Sequence, residues 1–337
     1  MILRRLISAI LLAAICLAAS TPSQAQTAPV LWRSFWNNDI FIPQKTSFSS
    51  DSRYFSIGYD NGFISIFDAG SGILYKNYHL HDRHVFCTVF QPGGNILASG
   101  DKEGVMVLYD YVAGKQIMKI NAHDKSISAM AFSADGRYLL TGSHDNTVKI
   151  WDPATGKQLL RIGNVTGNLH ALRLTNDNLT IIAGTAALSK GLRLFDAKTG
   201  NELQTFDSPN LKGLDLSPDG RYIATANLKK YVLVYDVQHF QNTGAAFTPS
   251  VAKLEGHDKD LTDVVFSPSG KVLYSCSEDR TVIAWDVAHL KQLSTIFESH
   301  KKIDAISCAP NGKYLAVLDE GNVLSILDIS NIEANMK

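Results

Sequence analysis

The stretch "AHDKSISAMAFSADGRYLLTGSHDNTVKIWD", residues 122–152, decides the fold. It contains three short segments, KSISAMAF, RYLLTGS and TVKIWD, which are rich in β-branched and aromatic residues and are separated by Gly, Asp and Asn. Such segments are typical of short strands that are joined by tight turns. A fourth apolar segment follows the turn "PATGK". The whole unit therefore predicts a small sheet of four antiparallel strands.

The same unit recurs along the chain. An aromatic residue or leucine followed by aspartate ends a strand-like segment at seven places, which are Phe67-Asp68, Tyr109-Asp110, Trp151-Asp152, Phe195-Asp196, Tyr235-Asp236, Trp285-Asp286 and Leu327-Asp328. Successive aspartates lie 42, 42, 44, 40, 50 and 42 residues apart. A turn such as "SADG" (133–136) ends sixteen residues before the aspartate in six units and eighteen residues before it in the fourth. This regularity identifies a sevenfold repeat.

A repeat of this kind predicts an all-β fold, a seven-bladed β-propeller with four-stranded antiparallel blades. One blade alone cannot bury both faces of its sheet, so the blades stack around an axis. The seventh unit is followed by only "ISNIEANMK", which is short and polar, whereas "VLWRSFWN" (30–37) precedes the first unit. We expect this N-terminal segment to pair into blade seven and close the ring, which removes an open sheet edge.

Two of the units carry a family resemblance. Residues 122–152 and "GHDKDLTDVVFSPSGKVLYSCSEDRTVIAWD" (256–286) resemble repeats of the WD-repeat (WD40) β-propeller family. In that family a histidine, a hydroxyl, an acid and a tryptophan form a structural hydrogen-bond chain. The resemblance implies two such tetrads, His123, Thr141, Asp145 and Trp151 in blade three and His257, Ser275, Asp279 and Trp285 in blade six. It implies a weakened version in blade two, from His81, Ser99, Glu103 and Tyr109.

The stretch "NYHLHDRHVFC" (77–87) invites a different interpretation, because His79, His81 and His84 lie close to Asp82 and Cys87. A metal site is one hypothesis. Alignment of His81 with His123 and His257 favours a structural histidine with two surface neighbours, so no metal and no cofactor are expected. The recurring hydroxyl, histidine and acid also resemble a hydrolytic triad, but they recur in separate blades with tryptophan as a fourth member. No catalytic residue is predicted.

The N-terminus suggests export. A cationic opening, "MILRR", precedes an apolar run and then "TPSQAQ", which is typical of a secretory signal that is cut before Gln26. Residues 1–25 are therefore predicted to be a cleaved signal peptide, and residues 26–337 a single propeller domain with no transmembrane anchor after cleavage. The 32 basic and 32 acidic residues balance, which disfavours nucleic acid as a partner.

Two surfaces are candidates for binding. The first collects the loops that precede the first strand of each blade and those that join its second and third strands. On this face we expect an acidic and a basic or titratable arc, formed by Asp60, His84, Phe86, Lys102, His144, His170, Lys212, Glu278, Asp304 and Glu320. The second candidate is a contact arm in the long fifth interval, which carries Phe240 and Phe247.

These features predict a secreted or periplasmic, non-catalytic scaffold, a monomer that binds protein partners of the cell envelope. The alternative functions are a propeller that binds a small molecule or a metal, or a propeller enzyme, in the same compartment. The fold alone does not decide between these functions.

Overall fold

A computed structural model describes residues 27–35, 46–237 and 251–336. The predicted signal peptide, residues 1–25, lies outside the described residues, and so do Phe240 and Phe247 of the predicted contact arm. Those predictions are untested by the structure.

The described residues form 28 strands and one short helix. They are β1 Val30–Phe35, β2 Ser47–Phe48, β3 Tyr54–Gly58, β4 Phe63–Asp68, β5 Leu74–His79, β6 Val85–Phe90, β7 Ile96–Asp101, β8 Val105–Asp110, β9 Lys115–Asn121, β10 Ile127–Phe132, β11 Leu139–Ser143, β12 Val148–Trp151, β13 Gln158–Ile162, β14 Leu169–Leu174, β15 Thr180–Thr185, β16 Leu192–Asp196, β17 Glu202–Phe206, β18 Leu211–Leu216, β19 Tyr222–Asn227, β20 Tyr231–Asp236, β21 Val251–Glu255, β22 Leu261–Phe266, β23 Val272–Ser277, β24 Thr281–Asp286, β25 Lys291–Glu298, β26 Ile303–Cys308, β27 Tyr314–Asp319, β28 Val323–Asp328 and α1 Ser330–Ala334.

The strands make seven four-stranded antiparallel sheets, so the predicted fold class is confirmed. Six blades are built from consecutive strands, for example β10-β11-β12-β13 in blade three, and the seventh has the order β1-β28-β27-β26. The innermost strands of neighbouring blades contact one another around the axis. We call the face at which these inner strands begin the upper face, and the opposite face the lower face.

The turn that marks most of the repeats is held by its own side chains. In "SADG" the Ser133 hydroxyl donates to Asp135 Oδ1 at 2.6 Å, and the backbone N–H of Arg137 donates to the same oxygen at 3.0 Å. A short side chain that accepts hydrogen bonds from the backbone two residues on stabilises a turn without help from elsewhere. The regular spacing of the repeats thus reflects a self-contained local structure on the lower face.

The cores lie between blades. One cluster joins Leu140 and Ile150 of blade three to Leu169, Leu172 and Ile181 of blade four, and all five side chains are buried. Each buried aliphatic side chain of this kind contributes about 1.5–3 kcal/mol through the area that it removes from water. The blades approach closely here, since a Cβ on Gly142 would lie 2.4 Å from a methyl carbon of Leu169.

The N-terminal strand closes the ring, as predicted. β1 pairs antiparallel with β28, from Val30 opposite Leu327 to Phe35 opposite Val323. The indole N–H of Trp32 donates to the Ala69 carbonyl of blade one at 2.9 Å, and the N–H of Ala28 donates to the Ile296 carbonyl of blade six at 2.8 Å. The N-terminal segment therefore ties blades six, seven and one together. The last two residues of the predicted segment, 36–37, lie outside the described residues.

Candidate protein-binding face and the buried tetrads

Four side chains of blade three form one continuous hydrogen-bond chain. The Trp151 indole N–H donates to Thr141 Oγ1 at 2.8 Å, and Thr141 Oγ1 lies 2.7 Å from His123 Nε2. His123 Nδ1 lies 2.9 Å from Asp145 Oδ2. Because the threonine hydroxyl has one proton, it donates to Nε2, and the Nδ1–H of a neutral imidazole donates to the carboxylate. Burial lowers the pKa of His123, which favours that neutral form.

Blade six repeats the arrangement. Trp285 donates to Ser275 Oγ at 2.8 Å, Ser275 Oγ lies 2.8 Å from His257 Nε2, and His257 Nδ1 lies 2.8 Å from Asp279 Oδ2. Burial opposes ionisation of the Asp279 carboxyl, but hydrogen bonds from His257 and Thr281 outweigh it and hold its pKa far below the usual range. All these polar atoms have partners inside the blade, so a structural role accounts for them; that role stays a prediction.

The predicted tetrad of blade two needs a correction. His81 Nε2 lies 2.7 Å from Ser99 Oγ, as in the other two blades, but His81 Nδ1 lies 2.9 Å from Oδ2 of Asp101 rather than from Glu103. Glu103 is exposed and contributes only its backbone N–H to Asp101 Oδ1, at 2.9 Å. The acid is supplied by the last residue of β7, two positions earlier than the alignment placed it. An aspartate that ends the second strand, as in "SGD" (99–101), was the available signal.

The three histidines of the stretch 77–87 lie in different surroundings. His81 is buried inside blade two, the His79 ring packs 4.7 Å from the ring of Phe63, and the His84 ring stacks on Phe86 at 4.2 Å. Asp82 pairs with Lys119 at 3.1 Å. Within the part of the chain that the structure describes, no three His, Cys, Asp or Glu side chains are grouped so as to hold a metal ion. The predicted lack of a bound metal stays a prediction.

The upper face carries the residues that were expected there, with different degrees of exposure. Asp60, Lys102, Lys212, Asp304 and Glu320 are exposed, whereas His84, Phe86, His144 and Glu278 are partly buried and His170 is buried. Burial lowers the pKa of His84 and of His144. Those two histidines are therefore largely neutral at pH 7, and the positive charge of blades two to five on this face comes from the lysines and Arg83.

The acidic arc is centred on blade seven. Lys302 Nζ lies 3.1 Å from Glu320 Oε1, and the charges of Glu278 and Asp304 also act on Lys302. Loss of hydration around the Asp304 carboxyl, together with the charge of Glu320, raises its pKa to about 6. The charge of Asp60, on blade one, acts on His84 of blade two. Glu278, Asp304 and Glu320 outnumber Lys302, so this group of four residues carries a net negative charge.

An ion pair at the axis was not foreseen from the sequence. Arg173 Nε of blade four donates to Asp215 Oδ1 of blade five at 2.7 Å, and Asp215 Oδ2 accepts the N–H of Phe266 in blade six at 2.8 Å. These groups line an axial cavity of about 330 Å³. Asp215 thus links the inner strands of three consecutive blades, four, five and six.

Exposed residues of two upper-face loops were also missed. Residues 186–191 join the second and third strands of blade four, and residues 228–230 join those of blade five. Leu188 is 85% exposed and Leu228 is 38% exposed. Lys190, Lys229 and Lys230 beside them are exposed as well. The longer interval of the fourth repeat was the only sequence signal for the first loop.

Comparison with known proteins agrees with the geometry. Residues 72–110, 114–152 and 248–286 match the family model "WD domain, G-beta repeat". Each segment contains the outermost strand of one blade and the three inner strands of the next, which are those of blades two, three and six. The chain thus contains WD repeats, and its described residues form a seven-bladed β-propeller. Residues 141–247 also match the model of the eukaryotic translation initiation factor eIF2A.

Several curated proteins are similar to parts of the chain. Pre-mRNA-processing factor 19 of Bos taurus is 29% identical over 128 residues, which are 38% of this chain and 24% of that protein. Protein HIR1 of Yarrowia lipolytica is 26% identical over 128 residues, 35% of this chain and 12% of that protein. Transcription factor unc-37 of Caenorhabditis elegans is 26% identical over 161 residues, 48% of this chain and 25% of that protein. The chain spans a quarter or less of the length of these relatives.

These relatives overturn the predicted compartment. Their names refer to pre-mRNA processing and transcription, which are not processes of a cell envelope. The prediction of a secreted or periplasmic scaffold with partners in the cell envelope is wrong. It depended on the hydropathy of residues 1–25, and that pattern carries no information about what the folded propeller binds. No described helix is long and apolar enough to span a bilayer.

Proposed function

We propose that the chain is a non-catalytic WD-repeat scaffold that binds other proteins through its upper face, inside the cell. The observation that carries this proposal is the separation of charge on that face. Exposed or partly exposed acids lie on blades six and seven, and exposed lysines lie on blades two, four and five. Complementary charge steers encounter and selects partners, which suits an assembly factor.

The groups that could serve catalysis are engaged elsewhere. Thr141 and Ser275 are completely buried, and each hydroxyl is shared between an indole N–H and an imidazole. A catalytic nucleophile has to reach its substrate at a pocket that also offers an oxyanion hole. Buried hydroxyls without access to solvent do not meet that requirement. This supports a binding role over a hydrolytic one, in line with relatives that carry WD repeats.

The test is charge reversal on the acidic arc. Glu278→Lys with Glu320→Lys is expected to slow association with a protein captured from cell extract by the full chain, and to slow it more at low salt, because steering between exposed charges is screened by ions. Association and dissociation rates at two salt concentrations measure the effect.

The matched control is Glu202→Lys with Glu333→Lys, which makes the same change of charge near the lower face, at the start of β17 and in α1, where Glu202 is exposed and Glu333 is partly exposed. Binding to that control is expected to match the native chain. Failure to capture any protein, or equal association rates for the arc variant and the native chain, would contradict the proposed function of this face.

A further inference from the structure

The loop of residues 186–191 holds an apolar side chain in solvent. Thr185 N–H donates to the Gly191 carbonyl at 2.7 Å, and Ala186 N–H donates to the Asn168 carbonyl at 2.8 Å. The N–H of Asn210, in the segment that leads into blade five, donates to the Ala187 carbonyl at 2.8 Å. The loop is thus anchored on three sides. Leu188, at 85% exposure, is presented by an ordered backbone instead of folding onto its own blade.

Blade five continues this surface. The segment that bonds to the first loop leads directly into β18, which begins at Leu211 and carries Lys212. Its neighbouring loop, residues 228–230, is held to blade six through the Lys229 carbonyl, which accepts the N–H of Leu261 at 3.2 Å. Leu228 there is 38% exposed. The two leucines therefore lie on the same face, one blade apart, and both loops adjoin the segment around Asn210 and Leu211, which bonds to Ala187 and pairs with Asn227.

Lysines surround these leucines. Lys190, Lys212, Lys229 and Lys230 are all exposed, and none of them takes part in an ion pair among the residues that the structure describes. The acids nearest to them along the chain are Asp196, Asp215 and Asp236, and Asp215 is paired with Arg173. A ligand that is both anionic and apolar needs positive charge and apolar side chains on the surface that binds it. The four lysines and the two solvent-facing leucines supply both.

We propose that this surface, which we call the Leu188 patch, docks an acidic segment of a partner protein in which Asp or Glu alternates with Leu, Met or Phe. This inference rests on the proposed function, since it names the partner chemistry for one part of the upper face. The lysines attract the carboxylates, and the leucines bury the apolar side chains of the segment. Exposed charges set the rate of arrival, whereas the buried apolar contacts set the rate of departure.

The aliphatic character of the patch favours a protein over a nucleic acid. Surfaces that bind single-stranded nucleic acid combine basic side chains with aromatic rings on which the bases stack. The loops "AALSKG" (186–191) and "LKK" (228–230) contain no aromatic residue. Leucine methyl groups offer apolar contact to another aliphatic or aromatic side chain and no stacking plane for successive bases.

The experiment uses the full chain and a fluorescent synthetic peptide of about fifteen residues in which Glu alternates with Leu. Fluorescence anisotropy measures Kd at low and at physiological salt. Lys229→Glu with Lys230→Glu is expected to raise Kd roughly tenfold or more at low salt, because two attractive charges become repulsive. Leu188→Ser is expected to raise Kd about fivefold at both salt concentrations, because apolar burial is not screened.

Matched controls lie on the lower face. Leu290→Ser removes a leucine of 41% exposure from a turn there, and Lys115→Glu with Lys157→Glu reverses two exposed charges on the outer side of blades two and three. Both controls are expected to bind the peptide as the native chain does. Circular dichroism and thermal melting establish that every variant is folded.

Four results would overturn the inference. The first is equal peptide affinity for the native chain and both patch variants. The second is equal or tighter binding of a peptide in which Lys replaces Glu. The third is tighter binding of a single-stranded RNA that depends on Lys229 and Lys230 but not on Leu188, which would make the patch a nucleic-acid surface. A captured protein that responds to Glu278→Lys with Glu320→Lys and ignores the Leu188 patch would overturn the inference and leave the scaffold function standing.

Discussion

Deletion of residues 30–37 is expected to turn a monomeric chain into aggregates and to lower its melting temperature sharply. Without β1, the edge of β28 from Val323 to Leu327 has no partner, and an unpaired strand edge is a template for association with other chains. The deletion also removes the bond from Trp32 to Ala69, so blade one loses a tie to blade seven. Size-exclusion chromatography and thermal melting measure both effects.

A conservative substitution distinguishes the contribution of the β1 backbone from that of the Trp32 side chain. Trp32→Phe keeps the backbone ladder of β1 and removes only the indole hydrogen bond, so it is expected to remain monomeric with a small loss of stability, of about 1 kcal/mol. If the deleted chain were monomeric and melted like the native chain, blade seven would have to close by another route.

Removal of the carboxylates from the tetrads is the second change for which we expect a large loss of stability. Asp279→Ala and Asp145→Ala are each expected to reduce the free energy of unfolding by about 1–3 kcal/mol, because a buried imidazole N–H and several nearby donors lose their acceptor. The pKa of Asp279 is held below its unfolded value by hydrogen bonds. Its contribution is therefore fully present above about pH 4 and is lost as the pH falls towards the folded-state pKa. Urea unfolding at pH 7 measures the loss.

Blade two supplies the matched pair for this test. Asp101→Ala is expected to cost about as much as Asp279→Ala, since Asp101 accepts from His81 and from two backbone amides. Glu103→Ala, an exposed change two residues away, is expected to cost less than about 0.5 kcal/mol. Native stability for Asp279→Ala, or an equal cost for the two blade-two variants, would show that these chains do not stabilise the blades.

The architecture was predictable because its determinants are local. Turns such as "SADG" mark strand boundaries through their own side chains. Because these turns recur at a nearly constant spacing, the chain divides into seven similar units, which predicts a ring of seven blades. The orphan segment at residues 30–37 could be assigned to blade seven because that blade lacked a strand. The acid of the blade-two tetrad was predicted wrongly as Glu103, because the other two tetrads have their acid at the equivalent position of the turn. In blade two, Asp101 at the end of β7 bonds to the His81 imidazole instead.

The functional surface was only partly predictable. The repeat register predicts which charged residues, such as Lys212 and Glu320, lie on the upper face. It does not predict how exposed each side chain is. Leu188 was therefore missed, although the interval that contains its loop is longer than most. Arg173 and Asp215 lie one repeat apart, and their pairing at the axis depends on how neighbouring blades stack. The compartment was predicted from the first 25 residues alone, and that prediction was wrong.

Hydrogen–deuterium exchange on the full chain, alone and with a captured protein partner, tests the use of the upper face most directly. The account predicts slower exchange on binding in residues 186–191 and 228–230 and at the start of the inner strands, with no change in the lower-face turns 133–136 and 267–270. Protection that is confined to those lower-face turns, with the upper-face loops unchanged, would contradict it.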